Sequence, residues 1–330
     1  MIISKTPYRL SLFGGGTDYP AWFEQRPTKL ISAAMAHYCY ISLKKLPPYF
    51  DYVNRVIYSK IESVKDIDDI EHPSVRMCLK CFGVPNGISV SHDGDLPARS
   101  GIGSSSSFTV GLVHALARQA NIPINPYMLA TLAINIEQDK IGESVGVQDQ
   151  IMAAYGGVRV IELEKNSIKV RHLKVDTDYL DMFEQHIMLG FSGIDRLSDV
   201  HAKQQVEAIK EGKSEKLLEE ITILTETALT YFENYGKMYE IGNLLKAQWK
   251  RKRELTDSVT TDYIDNIYIK ALNAGAYGGK LMGAGGGGFF MFIAPPDAHD
   301  RIKKAIPEID RKSTRLNSSH SQQSRMPSSA

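Results

Sequence analysis

Pro97-Ala98-Arg99-Ser100-Gly101-Ile102-Gly103-Ser104-Ser105-Ser106-Ser107 is the stretch on which the reading of this 330-residue chain turns. Two spaced glycines and a run of hydroxyls lead straight into Phe108, Leu112, Ala115 and Leu116, which recur at helical spacing. A glycine loop that opens a helix is a phosphate cradle. Backbone N–H groups can crowd a polyanion there, and the helix N-terminus adds the positive end of its dipole. The hydroxyls can cap the helix, and one can reach a metal. The loop is not a P-loop, because no Gly-Lys-Ser/Thr closes it, and its glycine spacing is not that of the dinucleotide fingerprint. Taken alone, the stretch also reads as a Ser-rich linker with a helix cap.

Outward from this loop, Gly87–Ser91 is apolar enough for a strand, and a helix is predicted from about Ser105 to Ala120. Asn125-Pro126 is a good cap and first position for the next helix, whose buried face carries Leu129, Leu132, Ala133 and Ile136. Residues 2–6 read as a short strand before the glycine turn 14–16. Strand-like stretches follow at 31–46 and 56–64, and Gly156-Gly157 opens a hairpin, 158–163 with 168–173. Residues 198–254 read as successive helices broken near Gly212 and Gly236, and 264–274 as another. Gly283-Ala284-Gly285-Gly286-Gly287-Gly288 then leads into a strand, 289–293. Strands and helices in both halves predict an α+β protein of two lobes, residues 1–182 and 183–312. The segment 313–330 is mostly Ser, Gln, Asn, Arg and His with almost no apolar anchor. It is expected to be disordered and foreign to the fold.

Length and a hydrophobic content of 43 % allow a large core. The net charge of +1 gives no bulk attraction for a polyanion such as nucleic acid. No apolar run is long enough to cross a membrane. The start, Met-Ile-Ile-Ser-Lys-Thr-Pro, lacks the pattern of a signal peptide, so a cytoplasmic protein is expected. Cys78 and Cys81 form a lone C-x-x-C without a second ligand pair, and all three cysteines read as ordinary thiols. The basic run Lys250–Arg253 reads as the solvated end of a helix, where cations suit the dipole; phosphate binding is the alternative.

Three constellations carry the chemistry. Arg9 lies on or just after a strand, and the turn Gly14-Gly15-Gly16 presents Thr17 and Asp18, either as acceptors for sugar hydroxyls or as a self-capping turn. Glu137 sits beside the apolar face of its helix. Asp149 follows Gly146 and begins a new buried segment, placed either to satisfy a helix N-terminus or to act as a general base. Four consecutive glycines at 285–288 cost backbone entropy, a cost that makes sense where a ligand approaches the backbone closely.

In this order the motifs resemble the GHMP kinase superfamily of galactokinases, homoserine kinases, mevalonate kinases and phosphomevalonate kinases, over roughly residues 1–312. Gly16-Thr17-Asp18-Tyr19 points to its sugar-kinase branch. The glycines in Thr6–Asp18, and the segment from Gly242 through Trp249 to Lys252, resemble the heptose 7-phosphate kinases and fucokinase kinase domains more than the galactokinases, which carry Glu-His in that turn. The resemblance implies a two-lobed fold, with an N-terminal lobe similar to a ribosomal-protein fold and a ferredoxin-like C-terminal lobe. It implies ATP and a small sugar or sugar phosphate as partners, with neither nucleic acid nor membrane. Pro97, Arg99, Ser100, Gly101, Ile102, Gly103, Ser104, Ser105 and Ser106 would bind ATP. Ser105 and Glu137 would hold Mg²⁺. Asp149 would be the base and Arg9 its charged neighbour. Gly15, Gly16, Thr17, Asp18, Gly193, Arg196, Gly283, Ala284, Gly285 and Gly286 would contact substrate. Family members continue into a final strand after the last helix; here the foreign-looking tail begins near Lys312, so the C-terminal sheet is expected to risk a missing edge.

Overall fold

The computed structural model describes residues 1–194, 198–256 and 259–312, at 198–200 and 310–312 by backbone alone. The N-terminal sheet is built on one long strand. β2 (Thr28–Lys45) has 18 residues, enough to serve two neighbours end to end along one edge. Its first half pairs with β6 (Val158–Glu164) and its second half with β5 (Ile88–Gly94), while β1 (Ile2–Phe13) runs antiparallel along the other edge. The hairpin β3 (Asn54–Ile57) and β4 (Ile61–Val64) joins parallel to β5, and β7 (Ser167–His172) closes the far side against β6. The helices Ser104–Gln119 and Gln148–Tyr155 pack on β1 and β2.

The second sheet has the strand order β11-β8-β10-β9, from β8 (Ile187–Phe191), β9 (Gly278–Leu281), β10 (Phe289–Ile293) and β11 (Asp310–Lys312), all antiparallel. With the helix Asp262–Asn273 before β9 and His299–Ala305 before β11, this is the split βαβ arrangement of a ferredoxin-like lobe. The helices Ser198–Lys210, Glu215–Glu233 and Met238–Arg253 are inserted after β8. The final strand, whose absence was a risk read from the tail, is thus present, three residues long and paired to β8.

β10 explains how the layers meet. Its side chains alternate: Phe289, Met291 and Ile293 join the core shared with β1, β2 and the helix Glu215–Glu233, whereas Phe290 and Phe292 pack with Trp249, Ile267 and Ile302 on the other face. Both lobes therefore draw on one continuous core. Phe13, Phe183 and Phe232 meet edge to face within it, at centroid distances of 6.3 and 5.1 Å. Between the sheets the chain leaves β7 at His172, forms the helix Thr177–Gln185, and enters β8 at Ile187. That helix, Pro73–Cys81 and β9 were not foreseen, β1 runs to Phe13 rather than residue 6, and 56–64 is split by a turn into β3 and β4.

Candidate active site

The cleft between the lobes is built from the glycine loop upward. Arg99, Gly101 and Gly103 have φ of 58°, 80° and 75°. Left-handed conformation at alternate residues lets backbone N–H groups converge on an anion. Gly103 is the N-cap of the helix Ser104–Gln119 and has no side chain with which to cap its first turn. A Cβ at Gly103 would stand 3.1 Å from Asp149 Oδ2, so this glycine admits the carboxylate to the helix end.

Arg9 joins loop and carboxylate. The β1–β2 register shifts between Pro7 and Arg9. Such a bulge re-aims a side chain. The Arg9 backbone N–H donates to Ile102 O at 3.0 Å, Nη1 donates to Gly101 O at 2.8 Å, and Nε donates to Asp149 Oδ1 at 2.5 Å. Asp149 lies in the first turn of the helix Gln148–Tyr155.

Glu137 is completely buried, on a π-helical turn over Ile136–Ile141. Such turns are rare and recur at functional sites. Its Oε2 accepts from Ser106 Oγ at 2.9 Å and from Gln150 Nε2 at 2.5 Å, while Oε1 has no partner. Burial, and to a lesser extent the charge of Glu143, push its pKa up to about 7, against the hydrogen bonds from Gln150 and Ser106. The hydroxyl on Glu137 is that of Ser106. Ser105, one position earlier, is exposed and lines the cleft, because one step along a helix turns a side chain by about 100°.

At the other wall, Gly15, Gly16 and Asp18 line the cleft. Asp18 accepts from Gly16 N at 3.2 Å and from Gln148 N at 3.4 Å, which fastens the turn to the segment bearing Asp149. Burial, then the Asp149 charge, raises its pKa. Thr17 is turned away from the cleft: it is fully buried, donates to Gly14 O and accepts from Thr28. Gly283 and Ala284 line the cleft from the C-terminal lobe, whereas Gly285 and Gly286 pack on Val259 and His201. Gly193 stands in open space outside the cleft lining, and Arg196 lies outside the described residues.

The basic run is corrected by the structure. Arg251 pairs with Glu220 and Arg253 with Asp265, but Lys252 is 6 % exposed and lines the cleft, its Nζ donating to Gly283 O. The signal was available, since Lys252 follows buried Leu245 and Trp249 at helical spacing. Tyr19 and Gln148, beside Asp18 and Asp149 in their motifs, also line the cleft, as do Ser11, Ser144 and Gln205, which carried no sequence signal. Among the described residues no cluster of three His, Cys, Asp or Glu stands ready for a metal, and no helix is long and apolar enough to cross a membrane.

A glycine cradle on a helix end, facing an arginine-bound carboxylate across two lobes, defines a phosphotransferase that positions a nucleotide opposite a hydroxyl acceptor. Residues 72–157 match the GHMP kinases N terminal domain and 228–311 the GHMP kinases C terminal domain, and the chain belongs to the GHMP kinase family. It is 30 % identical over 92 % of its length to D-glycero-alpha-D-manno-heptose 7-phosphate kinase of Campylobacter jejuni, covering 93 % of that protein. It is 24 % identical to a galactokinase of Pyrococcus furiosus, over 92 % of both chains. The crystal structure of a D-glycero-D-manno-heptose 1-phosphate kinase from B. thetaiotaomicron shares the fold, with a TM-score of 0.76, 21 % identity and 96 % of each chain covered. The chain is an ATP-dependent phosphotransferase acting on a sugar hydroxyl.

Proposed function

We propose that the chain transfers the γ-phosphoryl group of ATP to the anomeric hydroxyl of D-glycero-D-manno-heptose 7-phosphate, giving the 1,7-bisphosphate. The observation that carries the chemistry is the Arg9–Asp149 pair seated against Gly103 of the glycine loop. The name of the C. jejuni relative supports the substrate. In the transfer, the anomeric oxygen bonds to the γ-phosphorus as the bond from that phosphorus to the β,γ-bridging oxygen breaks. The electron pair leaves on ADP, and the hydroxyl proton passes to Asp149. Arg9 holds Asp149 in place through Nε and fixes the loop through Gly101. Residues 101–106 cradle the triphosphate with backbone groups. Gly15, Gly16 and Asp18 receive sugar hydroxyls, and Gly283 and Ala284 close the cleft from the second lobe.

The residues present fit Mg²⁺. A buried carboxylate with one orphaned oxygen beside a hydroxyl suits a hard cation that retains waters. Glu137 with Ser106 would hold it, Ser105 being the alternative, and the ion would neutralise phosphate charge. We place the lobe division near residue 182, between the last strand of the first sheet and the first of the second. A fucokinase- or galactokinase-like 1-kinase is the second reading, favoured by the full-length match to a galactokinase.

ADP release with Mg²⁺·ATP, measured on D-glycero-D-manno-heptose 7-phosphate, sedoheptulose 7-phosphate, mannose 6-phosphate, L-fucose and galactose, tests the substrate. Turnover confined to the manno-configured heptose phosphate supports it, and preference for free fucose or galactose replaces it with the second reading. Asp149→Asn keeps the shape but removes the proton acceptor, so turnover is expected to fall about a hundredfold or more with ATP binding retained. Unchanged turnover would remove Asp149 from the role of base.

A further inference from the structure

Charges around the cleft do not balance in a simple way. Arg9 is engaged on Asp149, so its charge is largely spent on the base. Arg99 is exposed at the rim. Lys252 is the one charged side chain that the C-terminal lobe contributes to the cleft lining among the described residues. It is held there by a backbone carbonyl, Gly283 O, and it is buried. Behind it stands a second lysine, Lys280, wholly buried on β9. Burial and then the charges of Lys252 and Arg9 hold the Lys280 amine well below the usual lysine range. The charges of Lys252 and Arg9 thus act on one buried amine at the back of the cleft, opposed there by Asp18, and a bound anion would add to that opposition.

The position of Lys252 says which anion. A Cβ at Gly101 would fall 2.5 Å from Met282 O and 3.3 Å from Gly283 N, so the glycine loop and the Gly283 turn are in contact. Lys252 reaches the carbonyl of that same Gly283, and Arg9 reaches the carbonyl of Gly101. The two cations approach the loop from opposite lobes.

We propose that Lys252 is a catalytic residue that contacts the phosphoryl group in transit, moving its Nζ from Gly283 O to the phosphoryl oxygens as charge develops on them. This rests on the reading that the glycine loop holds the ATP phosphates. The lysine forms no covalent bond and gives up no proton; its part is electrostatic.

Lys252→Gln separates charge from structure, because the amide keeps a donor for Gly283 O. Its kcat is expected to fall on the order of a hundredfold with the sugar KM little changed, and Lys252→Arg is expected to restore most of the loss. Titration calorimetry supplies a readout that a structural role would not move. ADP is expected to bind Lys252→Gln as it binds the native protein, whereas a non-hydrolysable imido analogue of ATP binds more weakly. Equal losses for ADP and the analogue, or an unchanged kcat, would overturn the proposal. If Lys252→Gln does not fold, Lys252→Arg carries the test: it must keep the native preference for the ATP analogue over ADP, and loss of that preference with a fold retained counts against the proposal. Asp149→Asn is assayed beside them. A wild-type-like Lys252→Gln beside an inactive Asp149→Asn sinks the lysine alone, while an active Asp149→Asn sinks the reading of the cleft.

Discussion

Glu137 shows what a single buried carboxyl asks of the fold. Its pKa of about 7 lies above the 4.5 of an exposed glutamate, so between those values the folded chain binds more protons than the unfolded one. Stability contributed by the protonated carboxyl is therefore present at low pH and is lost as pH rises through about 7. The loss is on the order of 3 kcal/mol. Glu143 and Cys78 face the same group, and Asp18, whose pKa is also raised, adds a slope of the same sign elsewhere. The difference between wild type and Glu137→Gln isolates the residue. In urea unfolding without Mg²⁺, wild type is expected to lose stability relative to Glu137→Gln as pH rises from about 5 to about 8. Parallel pH profiles would show that the buried carboxyl is not the source. Arg9, Glu137 and Asp149 were legible in the sequence because each sits in a motif whose chemistry demands its type. Ser106 as the partner of Glu137 was not, because which of four hydroxyls meets that carboxylate depends on helix phase against an element far away in the chain; for Lys252 the spacing from Leu245 and Trp249 marked the inward face, but what it meets there did not show.

Among the elements, the long amphipathic helices and the glycine-bounded strands were readable from periodicity, since their signals are local. The hairpin after Gly156-Gly157 and the cap of Asn125, whose side chain accepts from Met128 N at 2.8 Å, are of this kind. β11 was not readable. Three residues carry no period, and the strand exists because β8 offers it an edge. That edge depends on Gly190, where a Cβ would come within 2.1 Å of Ile309 Cγ2. Gly190 is paired with Arg311 and Phe290 in the two flanking strands, so the backbone cannot easily retreat. Gly190→Ala is expected to cost about 1–3 kcal/mol by overpacking, read as a lower urea midpoint. Measured in an Ile309→Ala background, the Gly190→Ala penalty should shrink if the clash with Ile309 is its cause, and the same penalty in both backgrounds would place the strain elsewhere.

At the scale of the molecule, the site exists only because two lobes share a core. Phe289 N donates to Ser100 O at 3.0 Å, so the strand after the second glycine run is hydrogen-bonded to the phosphate loop of the other lobe. The helices Glu215–Glu233 and Met238–Arg253 both reach β1. A shared core of this kind couples lobe unfolding, and a ligand that binds between the lobes should stabilise both together. The chain carries two tryptophans to report it. Trp22 packs with Leu218, Ile221 and Leu255, and Trp249 lies under the C-terminal sheet with Phe290 and Phe292. Trp22→Phe and Trp249→Phe each leave one reporter. In both variants a single thermal transition is expected, at coincident midpoints. A non-hydrolysable ATP analogue with Mg²⁺ should raise the two midpoints equally, by about 2.7 kcal/mol of stability at a hundred times its Kd. Separate midpoints, or a shift seen by only one tryptophan, would mean that the lobes unfold independently and that the continuous core between them contributes little to holding the cleft closed.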